Sequence, residues 1–565
     1  MHLDLRKSQK LDKKINVLYN EISYQNINLF NSLIENAYLQ YNSNLDWIFS
    51  KASNRNPLNS NLFHNFVSVL LIDYFINKRI SIDSVTVDST GLYLLIKHHF
   101  SNEIKIIKKI KPNYKKRVRV YLYRFKQITL KFYRFFIYKI INIFYKLTIN
   151  TNEIILIDTF TLKEYINSDR YYGGLFDDSL NYKEKIYFIP TILDIGFKNA
   201  LKFYIELKKS NRRYILKEDF ISFQDLLFAI LHIFRIKKIK FKCILINNID
   251  FSFILNDDLS FYNNNPNLAF ESFESYLFIK KLKKNGYKIS TFINWWENQP
   301  HDKAYNLALN KYFQSTNITG YIGFAPRNFD FHLFPNAFES KLNLIPKRIG
   351  VIGKGYIKMI KKFDQNLEVF SAPSFRFNHI FQYSKKFDNS EKKIILVGLP
   401  ISKLKSINLL NAIPLNLDSY FEKYDIQLLI KPHPASKIDE IMKYSNHLNF
   451  KNLKFITGNT YDTLKDADVL ISSMSSICME SISMNIPCIV YDESIGIEYR
   501  PIPEEIDQEI WNICKNQNEI LNSLNYFLNR NIATLNKHRK ISNYIKNYYF
   551  CESNLNSISN FLKPN

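Results

Sequence analysis

Two apolar, β-branched segments in the last third of the chain most constrain its fold. "IQLLIKPHP" covers 426–434, and "ADVLISSMSSICMESISMNIPCIVY" covers 467–491. Each begins as a run of strand length and ends abruptly in polar residues. Ligands of open parallel sheets bind outside the carboxyl ends of the strands. One rim is therefore predicted to carry the polar side chains that follow both segments, namely Lys431, His433, Ser472, Ser473, Ser475 and Ser476.

The second segment continues into a helix, "ICMESISMN", whose first turn offers unpaired N–H groups and a positive dipole end. A histidine, several hydroxyls and a helix N-terminus together predict an anion site, most simply for a nucleotide phosphate. No Gly-x-Gly-x-x-Gly and no Gly-x-x-x-x-Gly-Lys-Ser/Thr precedes a helix. The sequence therefore carries neither the usual dinucleotide fingerprint nor a P-loop.

Length and composition bound the class of protein. A chain of 565 residues is too long for one core, so two to four domains are expected. Apolar residues make up 46%, which excludes a disordered protein, and the net charge of +25 favours anionic partners. Five scattered cysteines predict reduced thiols in a cytosolic chain. We expect no secretory signal and no membrane span, because no apolar run is long enough.

Segment 103–150 is rich in basic and aromatic residues and contains a single acid, Glu103. On a helix, five of its basic residues recur every seven or eight positions and fall within an arc of about 80°. They are Arg117, Arg124, Lys131, Lys139 and Lys146. This pattern predicts either an interfacial helix on anionic lipid or a long helix packed on its own protein with a solvated basic stripe.

From residue 152 onward, apolar segments of strand length alternate with helical stretches, which is typical of largely parallel α/β domains. The first series of predicted strands is 152–160, 185–191, 242–248, 287–294 and 318–326. The second series is 347–353, 367–373, 392–400, 426–434, 453–458, 468–473 and 487–493. We predict a mostly helical region with the basic helix (1–150), two doubly wound domains (151–340 and 341–502) and C-terminal helices (503–565).

The chain resembles bacterial glycosyltransferases of surface polysaccharide synthesis, including capsule, O-antigen, Kdo and sialic acid transferases with "HP" and "SS" motifs. The matching residues are His433-Pro434, Ser472-Ser473 and Ser475-Ser476. Three further segments resemble surface carbohydrate biosynthesis proteins: "YYGGLFDDSL" (171–180), "WWENQPHDKAYNLAL" (295–309) and "SAPSFRFNHIF" (371–381). Such proteins often carry Gly-Tyr-x-His before the interdomain hinge, whereas this chain has Gly320-Tyr321-Ile322-Gly323.

The resemblance implies a GT-B architecture of two Rossmann-like domains, α/β in class, with the donor nucleotide on the C-terminal domain. It implies sugar transfer from a nucleotide-sugar donor, with a CMP-activated 2-keto sugar as one candidate. The acceptor would be a surface-polysaccharide or lipid-linked glycan. No cofactor, metal or nucleic acid is expected. The expected location is cytoplasmic and peripheral, on the inner, anionic face of the cytoplasmic membrane.

Individual donor-site residues carry alternatives. His433 either donates to a phosphate oxygen or caps its own loop, and the serines either bind phosphate or cap the next helix. By resemblance, Glu480 holds the ribose hydroxyls; alternatively it is a solvated helix glutamate. Arg376 either faces the donor phosphate or a sugar carboxylate in bidentate fashion, or forms a structural salt bridge.

The catalytic candidates are carboxylates at strand ends. Glu297 directly follows "TFINWW", and the rings of Trp295 and Trp296 would disfavour its charged form and make it a better base near neutral pH. Alternatively, Glu297 caps the following helix. Asp88 and Asp158 also end predicted strands and are further candidates. Rival functions are a teichoic-acid-type polyol-phosphate transferase, a nucleotide-sugar 2-epimerase, a basic nucleic-acid-binding protein and a non-catalytic scaffold.

Overall fold

The structure is a computed structural model with three parallel sheets and helices between their strands. It describes residues 1–7, 11–110, 114–146, 149, 153–169, 171–173, 175, 185–193, 195–260, 266–383, 385, 391–414, 417, 424–433, 436, 438–444, 448, 452–458, 460–493 and 496–562. Part of the segment 171–180 therefore lies outside the described residues. Among the described helices, none is both long and apolar enough to cross a bilayer.

Most described strands coincide with predicted apolar segments. In chain order the described strands are β1 (His2–Asp4), β2 (Ile82–Val87), β3 (Ile104–Lys109), β4 (Glu153–Thr161), β5 (Ile186–Ile192), β6 (Leu245–Ile246), β7 (Ile249–Asp250), β8 (Lys288–Trp295), β9 (Asn317–Ile322), β10 (Arg348–Val351), β11 (Glu368–Ser371), β12 (Lys392–Gly398), β13 (Asp425–Lys431), β14 (Leu453–Phe455), β15 (Val469–Ser472), β16 (Cys488–Tyr491) and β17 (Trp511–Cys514). Strand β17 lies in the region predicted to hold only helices (503–565), where it pairs with β16 at the edge of a parallel sheet.

The described α-helices fill the intervals. They are α1 (Lys13–Gln25), α2 (Ile27–Gln40), α3 (Leu45–Ile48), α4 (Leu62–Asn77), α5 (Thr90–His99), α6 (Tyr114–Phe144), α7 (Phe197–Lys209), α8 (Phe223–Ile230), α9 (His232–Arg235), α10 (Ser252–Asp258), α11 (Pro266–Lys284), α12 (Pro300–Tyr312), α13 (Ala337–Lys341), α14 (Ile357–Ile360), α15 (His379–Gln382), α16 (Lys403–Ala412), α17 (Ile438–Met442), α18 (Thr460–Leu464), α19 (Ile477–Ser483), α20 (Gln517–Leu528), α21 (Ile532–Tyr549) and α22 (Leu555–Leu562).

The first hundred residues are mostly helical, as predicted, but they also build a small parallel sheet of order β1-β2-β3. Its third strand, β3, occupies the beginning of the segment predicted as one helix from 103 to 150. Ile104, Ile106 and Ile107 pair with β2 there, because their β-branched side chains suit a sheet. The long helix α6 begins only at Tyr114.

The first large sheet has the order β11-β10-β9-β8-β4-β5, and its described strand pairs are parallel. Chain order reverses between β4 and β8, which is the switch point where ligands of such sheets bind. The predicted strand 242–248 does not join this sheet. It forms a short antiparallel hairpin of β6 and β7 instead.

The boundary predicted near residue 341 is wrong, because β10 and β11 belong to the first large sheet. Ile349 of β10 pairs with Gly320 of β9 and with Val369 of β11. The two halves therefore separate between β11 and β12. Alternation alone could not reveal this, since the strand that a segment pairs with is decided by non-local contacts.

The second large sheet has the order β14-β13-β12-β15-β16-β17 with parallel pairs, and its switch point lies between β12 and β15. The predicted fold class, α/β with two Rossmann-like domains, is thus confirmed. The C-terminal helices return to the first half: Ser374 donates its N–H to the Cys551 carbonyl at 2.8 Å. The Arg348 guanidinium likewise donates to the Phe561 carbonyl at 3.1 Å.

Three members of the predicted basic stripe, all on α6, face the protein rather than lipid or solvent, and the side chain of a fourth, Arg117, lies outside the described part of the chain. Lys131 forms ion pairs with Glu271 and Glu274 at 2.9 and 2.6 Å. Lys139 donates to the carbonyls of residues 218 and 221, and Arg124 is buried. Of the described members of the stripe, Lys146 is exposed. Buried acids on α11 attract this side of the helix, so the interfacial orientation inferred from the stripe is wrong.

Candidate functional site

A cavity of about 670 Å³ opens at the switch point of the second large sheet. We call it the His433 cavity. The ends of β12, β13 and β15 meet there, because parallel strands end at the same edge of a sheet. The predicted residues on its wall are Arg376, Lys431, His433, Ser475, Ser476 and Glu480, and further lining residues include Tyr165, His379, Gly398, Gly458 and Tyr461.

The two predicted residues after β13 take different places. His433 is half-buried and faces the cavity, while its carbonyl accepts a hydrogen bond from the Ser436 N–H at 2.8 Å. The Lys431 ammonium donates to the Gly458 carbonyl at 2.5 Å, and burial lowers the pKa of this lysine. Lys431 thus holds the loop after β14 in place as well as lining the cavity.

The four predicted serines separate into two groups. Ser472 is fully buried, and its hydroxyl donates to the Gly398 carbonyl at 2.7 Å, so it links β15 to β12 and does not face the cavity. The buried Ser473 hydroxyl has no hydrogen-bond partner among the described residues. Ser475 and Ser476 line the cavity, and Ser476 makes no side-chain cap to α19. Helix capping therefore does not account for the Ser476 hydroxyl.

Glu480 lies on α19 beside two aromatic rings. Its Oε2 is 3.2 Å from His379 Nε2, and the rings of His379 and Tyr461 lie 4.5 Å apart. All three residues line the His433 cavity. A carboxylate next to two adjacent aromatic rings, here tilted by 47°, can accept hydrogen bonds from a polyol while a ring covers a planar group. Neither ring was predicted as a site residue: His379 belongs to the segment 371–381, of which only Arg376 was singled out, and Tyr461 follows no recognisable motif.

Arg376 connects the two halves of the molecule. Its guanidinium lies 5.7 Å from the ring centre of Trp295 and 6.0 Å from that of Tyr171, both in the first half. Such cation–π contacts orient the planar group. Arg376 also lines the His433 cavity, so the side chain stands between that cavity and the end of β8.

Glu297 lies at the switch point of the first sheet, two residues after β8. Its Oε1 accepts a hydrogen bond from the Trp295 indole N–H at 3.0 Å. Burial raises the pKa of this carboxyl above its usual range, and the nearby Asp302 adds to the effect. Trp295 and Trp296 are both buried, so they form a desolvated wall and not an open stacking platform.

Glu297 does not cap the following helix. Gln299 is the N-cap of α12, and Asp302 completes its capping box by accepting from the N–H groups of Glu297 and Gln299 at 3.1 and 2.8 Å. Asn298 adopts φ 51°, a left-handed conformation that asparagine tolerates. Other residues therefore satisfy the helix end, and the Glu297 carboxyl is left to the Trp295 indole. Glu297 is half-buried and is not among the residues that line the His433 cavity.

A second set of acid–base groups lies behind Glu297. Ligand atoms of Asp158, His301 and Asp302 lie within 4.8 Å of one another, and all three residues are buried. Burial raises the pKa of Asp158 to about 6 and that of Asp302 to about 7, and it lowers the pKa of His301. Sequence reasoning missed His301, although its place in the first turn after a strand end was a usable signal.

Asp88, the other predicted catalytic carboxylate, is not brought to this site. It is exposed and follows β2, the central strand of the small N-terminal sheet. Glu297 follows a strand of the first large sheet. A strand end that resembles a catalytic position in sequence can thus belong to a different sheet.

A second cavity, of about 580 Å³, lies between the N-terminal region and the loops that follow β12, β13, β15 and β16. We call it the Leu58 cavity. His433, Ser475 and Ser476 line both cavities, so the two spaces adjoin at these residues. Its other wall combines apolar and basic side chains, including Leu5, Arg6, Leu58, Arg327 and Lys405. The sequence did not predict that the N-terminal domain borders the site.

The glycine that replaces the histidine of the Gly-Tyr-x-His pattern has a steric cause. A Cβ atom at Gly323 would lie 2.3 Å from Cζ3 of Trp295. Trp295 therefore occupies the space that a side chain at position 323 would need. The site is built around the tryptophan, with Glu297 hydrogen-bonded to its indole.

Neither a family model nor a curated protein matches this sequence. Solved structures of similar fold include S. aureus MnaA with UDP (12% identity, 73% of this chain and 95% of that chain, TM-score 0.41). The wall teichoic acid polymerase TagF with CDPG is also similar (11%, 80% and 96%, TM-score 0.36). A third is Acinetobacter baumannii MurG (11%, 72% and 98%, TM-score 0.35).

Proposed function

We propose that this protein is a metal-independent glycosyltransferase that moves a sugar from a nucleotide-sugar donor to a surface-polysaccharide or lipid-linked glycan. The observation that carries the proposal is the His433 cavity, where a histidine, two serine hydroxyls, an arginine and a glutamate converge at a sheet switch point. This set of groups suits a nucleotide phosphate and its ribose. Because α19 has only seven residues, the proposal rests on these side chains and not on the helix end.

Each donor-side group has a role in binding. His433, Ser475 and Ser476 donate hydrogen bonds to the phosphate oxygens, and Arg376 adds a charge-assisted contact. Glu480 accepts from the ribose hydroxyls, while the rings of His379 and Tyr461 cover the base. As the bond from the sugar to the phosphate breaks, negative charge grows on the departing oxygen. Donors already aimed at that oxygen stabilise the transition state.

Glu297 is the proposed base. The acceptor hydroxyl gives its proton to the Glu297 carboxylate as its oxygen bonds to the anomeric carbon, and the nucleotide leaves with the bonding electrons. This is the course of an inverting transfer. The raised pKa of Glu297 makes its carboxylate a stronger proton acceptor than an exposed one. The Leu58 cavity adjoins the phosphate-binding residues and is the proposed entry for the acceptor.

The proposal includes a peripheral location on the inner face of the cytoplasmic membrane. A lipid-linked acceptor has its lipid in the bilayer, so an enzyme that uses it works at that surface. The net charge of +25 supports attraction to an anionic leaflet.

The proposal is tested by nucleotide binding. In thermal-shift and calorimetric titrations with CMP, CDP, UDP and GDP, one nucleotide should stabilise the protein by about 2.7 kcal/mol at a hundredfold excess over its Kd. His433→Ala, and Ser475→Ala combined with Ser476→Ala, should each weaken that binding by about 1.5–3 kcal/mol. His98→Ala is the matched control, because His98 is exposed on α5.

Three results would count against the proposal. Equal affinity of the wild-type protein and both site variants would remove the nucleotide from the His433 cavity. Binding of duplex nucleic acid in preference to every nucleotide would favour the basic-binding alternative. Nucleotide binding without any transfer to glycan acceptors would leave a scaffold.

A nucleotide-sugar 2-epimerase is a second candidate, favoured by the buried group of Asp158, His301 and Asp302 behind Glu297. Inversion of a ring carbon that bears hydrogen needs one group that removes a proton and one that returns it. Asp158, His301 and Asp302 are groups of this kind. Incubation of the nucleotide sugar in deuterated water without acceptor separates the two functions. Deuterium in the recovered sugar indicates an epimerase, and unlabelled donor that is consumed only with acceptor indicates a transferase.

A further inference from the structure

Helix α6 exposes an apolar face along most of its 31 residues. Its largest exposed fractions are 64% for Leu122, 71% for Phe125, 68% for Ile143 and 76% for Phe144. At 100° per residue, eight of the nine exposed large apolar residues described on α6 fall within an arc of about 140°. The ninth, Tyr123, is 46% exposed and lies outside this arc. The members of this face are Val118, Tyr121, Leu122, Phe125, Phe136, Ile140, Ile143 and Phe144.

The other side of α6 is already packed on the protein. Leu130, Phe135, Tyr138 and Ile141 are buried there, and the Tyr138 ring lies 5.2 Å from that of Tyr204 on α7. A surface helix normally turns charged residues outward, and a contiguous exposed apolar patch marks a binding surface. The outward face of α6 is therefore not explained by the stability of the fold.

Helix α8 extends the apolar surface. The Phe223 ring contacts those of Phe132 and Phe136, with centres 6.0 and 5.9 Å apart. Phe223 is itself 43% exposed. Leu231 and Phe234, which follow it in the chain, are exposed to a comparable extent. The surface is thus broader than one helix, although its longest dimension follows α6.

The charges beside this face are basic. Lys115, Arg119 and Lys126 are exposed on α6, Lys146 is exposed two residues after its end, and the helix has no acidic residue. The carboxyl groups that contact its inner side are paired: those of Glu271 and Glu274 with Lys131, and that of Asp219, which accepts from Tyr138, with Lys208. An apolar stripe with basic flanks is complementary to an anionic leaflet, where acyl chains meet negative headgroups.

A second copy of the chain fits this face poorly. The stripe has roughly the 3–4 spacing of a coiled coil, but the flanks of two copies of α6 would all be basic. Like charges at those positions oppose pairing. A bilayer supplies both the apolar area and the opposite charge.

We infer that α6 binds anionic phospholipid with its apolar face, from Val118 to Phe144, lying flat in the interfacial region and its flanking lysines and arginines on the headgroups. The face is roughly opposite to the side of the helix that carries Lys131. Lipid binding in this orientation leaves the ion pairs to α11 intact.

The test is flotation of the full-length protein with vesicles of phosphatidylcholine alone or mixed with phosphatidylglycerol. We expect binding to the mixed vesicles that weakens as salt rises. Leu122→Ser with Phe125→Ser and Ile143→Ser should weaken it at least about tenfold, because three buried apolar side chains are lost. Arg119→Glu with Lys126→Glu should also weaken it, on anionic vesicles only.

The matched control is Ile532→Ser with Leu555→Ser. These side chains are 78% and 67% exposed on the C-terminal helices, and their loss should leave flotation unchanged. Nucleotide titrations of every variant check that the fold persists and measure the proposed transferase site separately. Equal flotation of the apolar triple variant and the wild type would overturn the inference. Failure of the wild-type protein to bind vesicles would also overturn the inference, whether or not the protein forms a dimer through α6.

Discussion

At the residue scale, Glu297 is distinguished by the group that holds it. The Trp295 indole orients its carboxyl, burial raises its pKa, and Asp302 has taken over the helix cap. Glu297→Gln keeps the shape and the acceptor for the indole N–H but cannot take up a proton. We expect transfer to fall by about 10²–10⁴ with nucleotide affinity unchanged.

The pH profile gives the sign of this effect. The base works as a carboxylate, so the wild-type rate should fall as the pH drops through the raised pKa of Glu297, and the residual rate of Glu297→Gln should lack this acidic limb. Near-normal turnover of Glu297→Gln would contradict the assignment of Glu297 as the base, and Asp158 would be the next candidate. Steady-state rates from acidic to neutral pH, with the nucleotide Kd measured in parallel, make the check.

Asp158 should make stability depend on pH. Its folded pKa is about 6, and an unfolded aspartate has about 3.9. Below both values the residue is protonated in both states and costs nothing. As the pH rises from about 4 to 6, Asp158 ionises first in the unfolded chain. The free energy of unfolding of the wild type therefore falls by up to about 3 kcal/mol. Asp158→Asn does not titrate and keeps an acceptor for Thr191.

The measurement is urea unfolding of both proteins at pH 4 and pH 7. We expect Asp158→Asn to gain stability relative to the wild type between the two pH values. Glu297, Asp302 and His301 titrate in both proteins, and the part of their titration that does not depend on Asp158 cancels in the comparison. An identical difference at both pH values would show that the carboxyl is not buried as described.

Single residues show where sequence reasoning about the site ends. The strand ends were predicted, and His433, Ser475, Ser476 and Glu480 do share one cavity. Which hydroxyl turns outward was not predictable, because one residue of difference reverses a side chain in a strand. Ser472 therefore points into the sheet, and Asp88 belongs to a different sheet.

At the element scale, local patterns located the strands well and their partners poorly. Apolar runs predicted β12, β13 and β15 to within a few residues. The assignment of β10 and β11 to the second domain failed because pairing depends on residues far away in the chain. Helix α6 shows the same limit: its sequence has apolar and basic faces, and only packing against α7 and α11 decides which one is covered.

The return of α21 to the first half depends on a close backbone approach. A Cβ atom at Gly353 would lie 2.1 Å from the Tyr549 carbonyl carbon. Gly353→Ala should therefore push the Tyr549 backbone away and lower the free energy of unfolding by about 1–3 kcal/mol. This loss is measured as a lower Tm. At Gly196 the same atom would meet nothing within 4 Å, so Gly196→Ala should cost less than about 1 kcal/mol. Equal melting of the two variants would contradict this contact.

At the scale of the whole molecule, three bodies surround the proposed site. The second large sheet supplies the His433 cavity, the first supplies Trp295, which contacts both Arg376 and Glu297, and the N-terminal domain borders the Leu58 cavity. Composition and alternation predicted two of these bodies. The position of the third was not encoded in any local pattern, because it depends on contacts between the two ends of the chain.

Asn20 makes the contact that tests this arrangement. Its amide donates to the Gly496 carbonyl at 2.9 Å and accepts from the Glu498 N–H at 2.9 Å, which joins α1 to a loop beside the Leu58 cavity. Asn20→Ala should lower the free energy of unfolding by about 1–2 kcal/mol. It should also raise the KM for the acceptor, because one wall of that cavity is released, and leave the nucleotide Kd unchanged.

Asn28→Ala is the control, since Asn28 is exposed on α2. Acceptor titrations at saturating donor, with calorimetric nucleotide binding, separate the two substrates. A rise in the nucleotide Kd with an unchanged acceptor KM would place the donor, and not the acceptor, in the Leu58 cavity. Because His433, Ser475 and Ser476 border both cavities, that result would reverse the direction in which the two substrates approach the reacting centre.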